Sequence, residues 1–224
     1  MKKRNSIIAI SIIIIGILLY ITYGRTESTI DNFETEAGSF TDPRDGKIYK
    51  TIKIADQWIM AENLAYKPDS GKYWAYDDID SNIAIYGYLY DWETAMNIAP
   101  EGWHLPSRQE WLDIYKVLGA KRETWRYLEM LYPKLVEGGS SGLDMLLGGR
   151  RTGGGDYRDL GDNARFWTSD NSSSEKAVTG LGSNKDSITH GFNIFRGSKA
   201  PHAFNNAYQR PYSGYSVRLF KNKE

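Results

Sequence analysis

The chain has 224 residues, with 28 Lys and Arg against 28 Asp and Glu, 3 His and no Cys. The zero formal charge gives no sign of the strongly basic face with which nucleic-acid binders usually neutralise phosphates, so no nucleic-acid partner is expected. The lack of cysteine excludes thiolate nucleophiles, thiolate metal sites, disulfides and lipid attachment through sulfur.

Lys2, Lys3 and Arg4 form a basic end, residues 1–4, before an uncharged run over residues 5–24 that holds nine Ile. At about 1.5 Å per residue such a run spans roughly 30 Å, the thickness of a bilayer's hydrocarbon core. The basic start keeps that end in the cytoplasm and predicts a single-pass signal anchor with the C-terminal domain outside the cytoplasm. Membrane contact is thus expected through residues 5–24. The rival is a cleaved signal peptide and a secreted domain. Against it, the run exceeds the usual apolar core, and Tyr20-Ile21-Thr22-Tyr23 is bulky where a peptidase needs small residues. Four basic residues lie in the first 25, which leaves the remainder with 24 basic against 28 acidic residues, about −4.

Residues 25–39 are polar and acidic without a sustained period, a tether whose end could pair. The outer domain is set at residues 40–222. Asp42-Pro43-Arg44-Asp45-Gly46 is a turn, because Pro presets φ and Gly accepts φ > 0. Lys47–Ile54 alternates, placing Ile48, Ile52 and Ile54 on one face. Trp58-Ile59-Met60 returns beside it as a hairpin partner. Residues 67–84 read as a polar, aromatic-rich loop. Apolar residues Leu89, Trp92, Ala95 and Met96 recur at helical spacing and predict a helix over Tyr88–Ile98.

A second helix is predicted over Arg108–Leu118, with Trp111, Ile114, Tyr115 and Leu118 on one face. Ser107 is its N-cap and Glu110 completes a Ser-x-x-Glu capping box. Gly119 is the expected C-cap. Residues 123–136 predict a short third helix interrupted by Pro133. Beyond Glu137 helical periodicity vanishes. Leu143, Met145 and Leu147 alternate as a strand that Gly148-Gly149 breaks, and residues 151–161 read as a long loop. Phe166-Trp167-Thr168, Gly191–Phe195 and Tyr215–Phe220 read as strands, and residues 169–189 as a Ser/Asn/Gly-rich loop. This pattern is α+β: a hairpin, two main helices, then a loop-rich antiparallel sheet.

Several ordered motifs carry a family resemblance. Gly46-Lys47-Ile48-Tyr49-Lys50-Thr51, Trp58-Ile59-Met60-Ala61-Glu62-Asn63-Leu64, Tyr86-Gly87-Tyr88-Leu89-Tyr90-Asp91-Trp92 and Pro100-Glu101-Gly102-Trp103-His104-Leu105-Pro106-Ser107-Arg108-Gln109-Glu110-Trp111 occur in that order. Leu146–Arg151, Phe166–Ser169 and Gly214–Arg218 continue the match. The chain resembles the Fibrobacter succinogenes major paralogous domain over about residues 40–222. Trp58, Glu62, Asn63, Trp92, Trp103, His104, Pro106, Ser107, Glu110, Trp111 and Trp167 are its structural signature here. The resemblance implies a C-type-lectin-like fold on a bacterial envelope, with no established activity. It also implies distant similarity to formylglycine-generating, sulfatase-modifying enzymes, through Leu105–Trp111. Relatives often carry Cys where this chain has Ala99 and Leu219. Joint loss of the two predicts that these positions are close, with Cβ atoms within roughly 4–7 Å as a former bridge requires.

Each candidate site has a plainer rival. Formylglycine-type catalysis depends on cysteines, which are lacking; an enzyme with other chemistry would centre on His104, Arg150 and Asp144. His104, His190 and His202 show no metal spacing, and no metal or other cofactor is expected. Gly148–Gly155 is not a phosphate loop, since no Gly-Lys-Ser/Thr ending follows. Arg150 and Arg151 either bind an anion or pair with Asp156 and Asp159. Asp77, Asp78 and Asp80 form an acidic cluster that reads better as a solvated loop than as a calcium site. The remaining candidate is a ligand face of Tyr73, Trp74, Tyr76, Arg150, Arg151, Tyr157, Tyr208 and Tyr212. With 7 Trp and 16 Tyr, the chain has enough rings to fill a core and furnish such a face. The expected function is a non-catalytic binding or envelope-structural module for a glycan or an envelope protein.

Overall fold

The computed structural model describes residues 33–120, 131–172, 188–196, 202–203, 207–209 and 212–223. These belong to one compact unit, Phe33–Glu224. Residues 5–24 lie outside the described residues; within them no helix is long and apolar enough to cross a membrane.

Among the described residues, three sheets and four short helices make a mixed α and β architecture. The first sheet begins with β1 (Thr35–Thr41), β2 (Ile48–Ile54) and β3 (Gln57–Met60). The segment read as a tether therefore ends in a strand. All seven β1 residues pair antiparallel with β2, from Thr35 opposite Ile54 to Thr41 opposite Ile48. The expected shared face of β2 is only half correct. Ile52 and Ile54 are buried, but Ile48 is 64% exposed while Tyr49 on the opposite face is fully buried. The sheet is covered on one face at one end and on the other face at the other. Ile52 and Ile54 join one apolar cluster, and Tyr49 joins a second.

β4 (Tyr73–Trp74) pairs with β5 (Leu89–Tyr90) as a small second sheet. Between them lie a 3₁₀ turn (Tyr76–Asp78), within the segment expected to be loop, and α1 (Ser81–Tyr86), which begins in that segment and runs two residues past its end. The helix predicted over Tyr88–Ile98 shrinks to α2 (Trp92–Asn97). Asp91 caps it, its carboxylate accepting from the Thr94 N–H at 3.0 Å, so the chain stays extended through Tyr90. Met96, expected on the buried face, is 37% exposed.

β6 (Trp103–His104) leads into α3 (Arg108–Val117), where expectation and structure agree closely. The capping box forms: Glu110 N–H donates to Ser107 Oγ at 3.2 Å, and Ser107 N–H donates to Glu110 Oε2 at 2.7 Å. Gly119, at φ 106°, ends the helix. The Ala120 N–H donates to Tyr115 O and the Gly119 N–H to Lys116 O, the paired bonds of a Schellman motif. Trp111, Ile114, Tyr115 and Leu118 are all buried.

α4 (Tyr132–Leu135) is the described part of the predicted third helix. The strand expected at Leu143–Leu147 is reduced to one bridge, Val136 with Met145. The strand instead begins where a break was expected, as β7 (Gly148–Arg151). The predicted long loop folds back as β8 (Tyr157–Leu160). β9 (Asn163–Ser172) and β10 (Ile188–Phe195) form the centre of the third sheet. β11 (His202–Ala203) and β12 (Ala207–Gln209) both pair with β10. The order is β11-β10-β9-β7-β8.

The last described segment was expected to be one strand. It is instead a seam. Gly214 bridges Arg151, Tyr215 bridges Tyr90, and Ser216 bridges Phe166. At its end β13 (Phe220–Lys221) enters the first sheet between β3 and β6. One short stretch thus touches all three sheets, and changing partner every one or two residues prevents a continuous ladder. Every residue from Ser213 to Phe220 is buried. Leu219 belongs to the cluster of Tyr90, Trp167 and Val217, and Ala99 packs against that same cluster.

Candidate functional site

The signature residues hold the frame. Trp111 and Trp167 are fully buried, and Trp103 nearly so. The Trp167 Nε1–H donates to Tyr90 O at 2.7 Å, and its ring lies 4.2 Å from that of Tyr215. Trp92 donates to Thr168 O, and Pro106 O accepts from the Ser169 N–H. Glu62 accepts from the Lys50 N–H at 2.7 Å, which closes the hairpin. Trp58 is half-buried and packs so tightly over β1 that a Cβ at Gly38 would stand 2.8 Å from its ring.

His104 joins two elements. Its Nε2 lies 2.8 Å from Glu110 Oε1, and its Nδ1 lies 2.7 Å from Asn222 Oδ1. The Glu110 carboxylate raises the His104 pKa above its ordinary 6.5. The His104 hydrogen bond, aided by Ser107, in turn draws Glu110 down to about 2. Both ring nitrogens of His104 and both carboxylate oxygens of Glu110 are engaged. The chemistry of His104 is that of a clasp between the α3 cap and the end of the chain.

Arg218, the last residue of the Gly214–Arg218 motif, is a buried cation whose role no local sequence pattern signals. It is 1% exposed. Its Nε donates to Asn63 Oδ1 at 2.7 Å. Nη1 donates to Met60 O and Leu143 O, and Nη2 to Asp144 O. Asn63 also donates to Tyr86 O, so the Asn63–Arg218 pair ties the hairpin to α1 and to residues 143–144. Burial lowers the Arg218 pKa to about 9, which leaves the guanidinium charged at neutral pH.

The proposed ligand face divides. Arg151, leaving β7, lays its guanidinium 4.3 Å from the Trp74 ring centroid and 5.9 Å from that of Tyr157. Tyr157, opposite it on β8, packs 5.3 Å from Tyr76 and donates its hydroxyl to Asp78. Burial and then the Asp78 carboxylate push the Tyr157 hydroxyl up to about 12, so it remains a donor. Trp74, Tyr76, Arg151 and Tyr157 are therefore one cluster. Tyr76 is its buried floor at 6% exposure, and Trp74, Arg151 and Tyr157 are half-buried. Tyr212, 40% exposed, lies on the turn between β7 and β8, where a Cβ at Gly153 would overlap its ring.

Two glycines make the approach possible. Gly149, at φ 68°, brings β7 so near the Tyr76 ring that a Cβ would come within 2.5 Å. Gly214 lies so close to Arg151 and Trp74 that a Cβ would meet both at 3.0 Å.

The remaining candidates stand apart. Tyr73 turns from the cluster to pack edge-on against Tyr88, 5.1 Å away. Arg150 pairs with Asp159 at 2.7 Å, the structural alternative for that residue. Arg158, not Arg151, takes Asp156. The side chains of Tyr208, His190 and His202 lie outside the described residues. Among the described residues no group of three His, Asp or Glu could hold a metal ion. Asp78 was read only as part of an acidic loop. Its reach to Tyr157 crosses 79 positions, which no local pattern signals.

What stands assembled is a mixed α and β domain with a hydrogen-bonded polar frame and one aromatic–guanidinium cluster at a hairpin. The chain belongs to the Fibrobacter succinogenes major domain family, whose model matches residues 52–221. The match opens within β2 and closes in β13, so it covers all three sheets except β1 and the start of β2. No curated protein and no solved structure matches the chain.

Proposed function

We propose that this domain is a non-catalytic recognition module, presented outside the cytoplasm by residues 5–24, that binds a glycan of the bacterial envelope. The observation that carries the reading is the cluster of Trp74, Arg151 and Tyr157, half-buried, with Tyr212 exposed at the same hairpin. Tyr and Trp give rigid amphipathic contact area at low entropy cost, which suits weak, reversible recognition. A C-type-lectin-like relationship fits this reading, because loops between late strands commonly carry the ligand face of such folds. An envelope protein is the second partner class.

Screening the full-length chain on a glycan array, beside Trp74→Ala and Tyr212→Ala, tests this. Binding of a defined glycan set that both variants lose is expected. An array without signal, with capture of an envelope protein unaffected by either variant, overturns the glycan reading.

A further inference from the structure

Resting on that reading, we infer that the Arg151 guanidinium receives the carboxylate of an acidic sugar, a uronic acid unit, at the mouth of the β7–β8 hairpin. The three arginines of this hairpin are treated differently. Arg150 is paired with Asp159 at 2.7 Å and Arg158 with Asp156 at 3.2 Å. Arg151 forms no ion pair among the described residues. Asp78 meets it only through the Tyr157 hydroxyl, which donates to Asp78 and faces Arg151. The Arg151 Nε is buried without a hydrogen-bond partner. A cation partly stripped of water and left without a counter-ion is an incomplete electrostatic pair, and an anion completes it.

The geometry selects the anion. The guanidinium lies over the Trp74 ring, 4.3 Å from its centroid, which restricts its movement. A planar fork matches a carboxylate, which it meets with two parallel N–H bonds. An arginine meets phosphate or sulfate bidentately too, but those anions carry further oxygens that call for more donors, and both neighbouring arginines are already committed. Gly155, at φ 100°, keeps the turn open: a Cβ there would stand 3.2 Å from Arg151 Nη2.

The surroundings select a sugar over an acidic peptide. Between Arg151 and Tyr157 the chain reads Thr-Gly-Gly-Gly-Asp. It offers hydroxyl and carboxylate partners and no aliphatic pocket of the kind that peptide anchors fill. Tyr212, 40% exposed, supplies aromatic surface for the C–H face of a pyranose.

Calorimetry with the full-length chain tests this, using oligogalacturonate and its fully methyl-esterified form as probes. Wild type is expected to bind the first at least about tenfold more tightly than the ester, because esterification removes the charge and keeps the ring. Arg151→Gln is expected to lose that preference. Asp78→Asn removes the negative charge that Tyr157 holds beside Arg151 while keeping an acceptor for Tyr157. It is expected to bind oligogalacturonate about two- to fivefold more tightly, as weakening a partly screened charge interaction implies. Should Arg151→Gln melt at a lower temperature than wild type, Asp78→Asn carries the test, and unchanged or weaker binding there overturns the inference. Equal binding of both probes overturns the carboxylate and leaves glycan recognition standing. Failure of both probes while a neutral glycan binds on the array does the same. Failure of every glycan overturns both readings. Binding of poly-glutamate in place of oligogalacturonate, lost in Arg151→Gln, moves the carboxylate to a protein partner and overturns the sugar.

Discussion

Arg218 and Arg151 are the same side chain in opposite conditions. Arg218 is wholly buried, and its guanidinium donates to four oxygens, at distances from 2.7 to 3.0 Å. Arg151 is half-buried on aromatic rings, with an orphan Nε and no ion pair among the described residues. A saturated cation is committed to the fold, because moving it leaves several acceptors unpaired. An unsaturated one at a surface hairpin is free to gain a partner at little cost to the fold. The difference separates the frame from the candidate site without reference to any ligand.

The comparison breaks most readily at Arg218. Arg218→Met strands Asn63 and three backbone carbonyls in a buried site, so a loss of about 3–5 kcal/mol is expected on denaturant unfolding. A loss below about 1 kcal/mol would show that water or neighbouring groups replace the guanidinium, and the frame would not depend on it. Ser107→Ala removes the acceptor at the start of α3 and should cost about 1 kcal/mol, read in the same experiment. Arg151→Met forfeits only the stacking on Trp74 and Tyr157, less than about 1 kcal/mol at a partly exposed site. A cost as large as that of Arg218→Met would make Arg151 part of the frame and end the contrast.

The smallest effect is a pH dependence at the His104 clasp. His104 is raised above 6.5 in the folded state, so its contribution is complete below about pH 6.5 and fades as pH rises through the folded value. Glu110 is lowered from 4.5 to about 2, so its contribution is complete above pH 4.5 and fades as pH falls toward 2. The pair therefore stabilises most between pH 4.5 and 6.5. Both side chains are about a third exposed, at 34% and 36%, so solvent screening limits the effect to roughly 0.2–1 kcal/mol. Denaturation at pH 5.5 and pH 8 should show that wild type loses this increment at the higher pH and that His104→Gln does not. Equal pH slopes for the two proteins would remove His104 from the clasp.

Local signals were legible wherever a single element decides its own boundaries. The Ser107–Glu110 box and Gly119 place α3 within one residue, because capping bonds join residues three to five apart. The β2–β3 hairpin follows from alternation and a short turn. The start of α2 is a near miss of the same kind. Its periodicity runs through Tyr88–Tyr90, but Asp91 is the better cap, and Tyr90 pairs with Tyr73 and Tyr215. The β7–β8 hairpin was hidden for a different reason. Its glycines read as a break, whereas they admit Tyr76, Tyr212 and Arg151 at close range.

By itself the sequence determined the capped helix, the first hairpin, the family and the list of aromatic and basic residues from which a ligand face could be drawn. Those depend on residue type and on spacings of a few positions. Tertiary structure alone decided which of them meet. It divided the three arginines of the β7–β8 hairpin into two that form ion pairs and one that forms none among the described residues, sank Tyr76 to a floor, turned Tyr73 away, and threaded residues 214–221 through three sheets. Each of these rests on a contact between residues far apart in the chain, such as Asp78 with Tyr157 or Arg218 with Asn63. Such partners are fixed only when the sheets pack and water leaves the buried polar groups, which must then find one another.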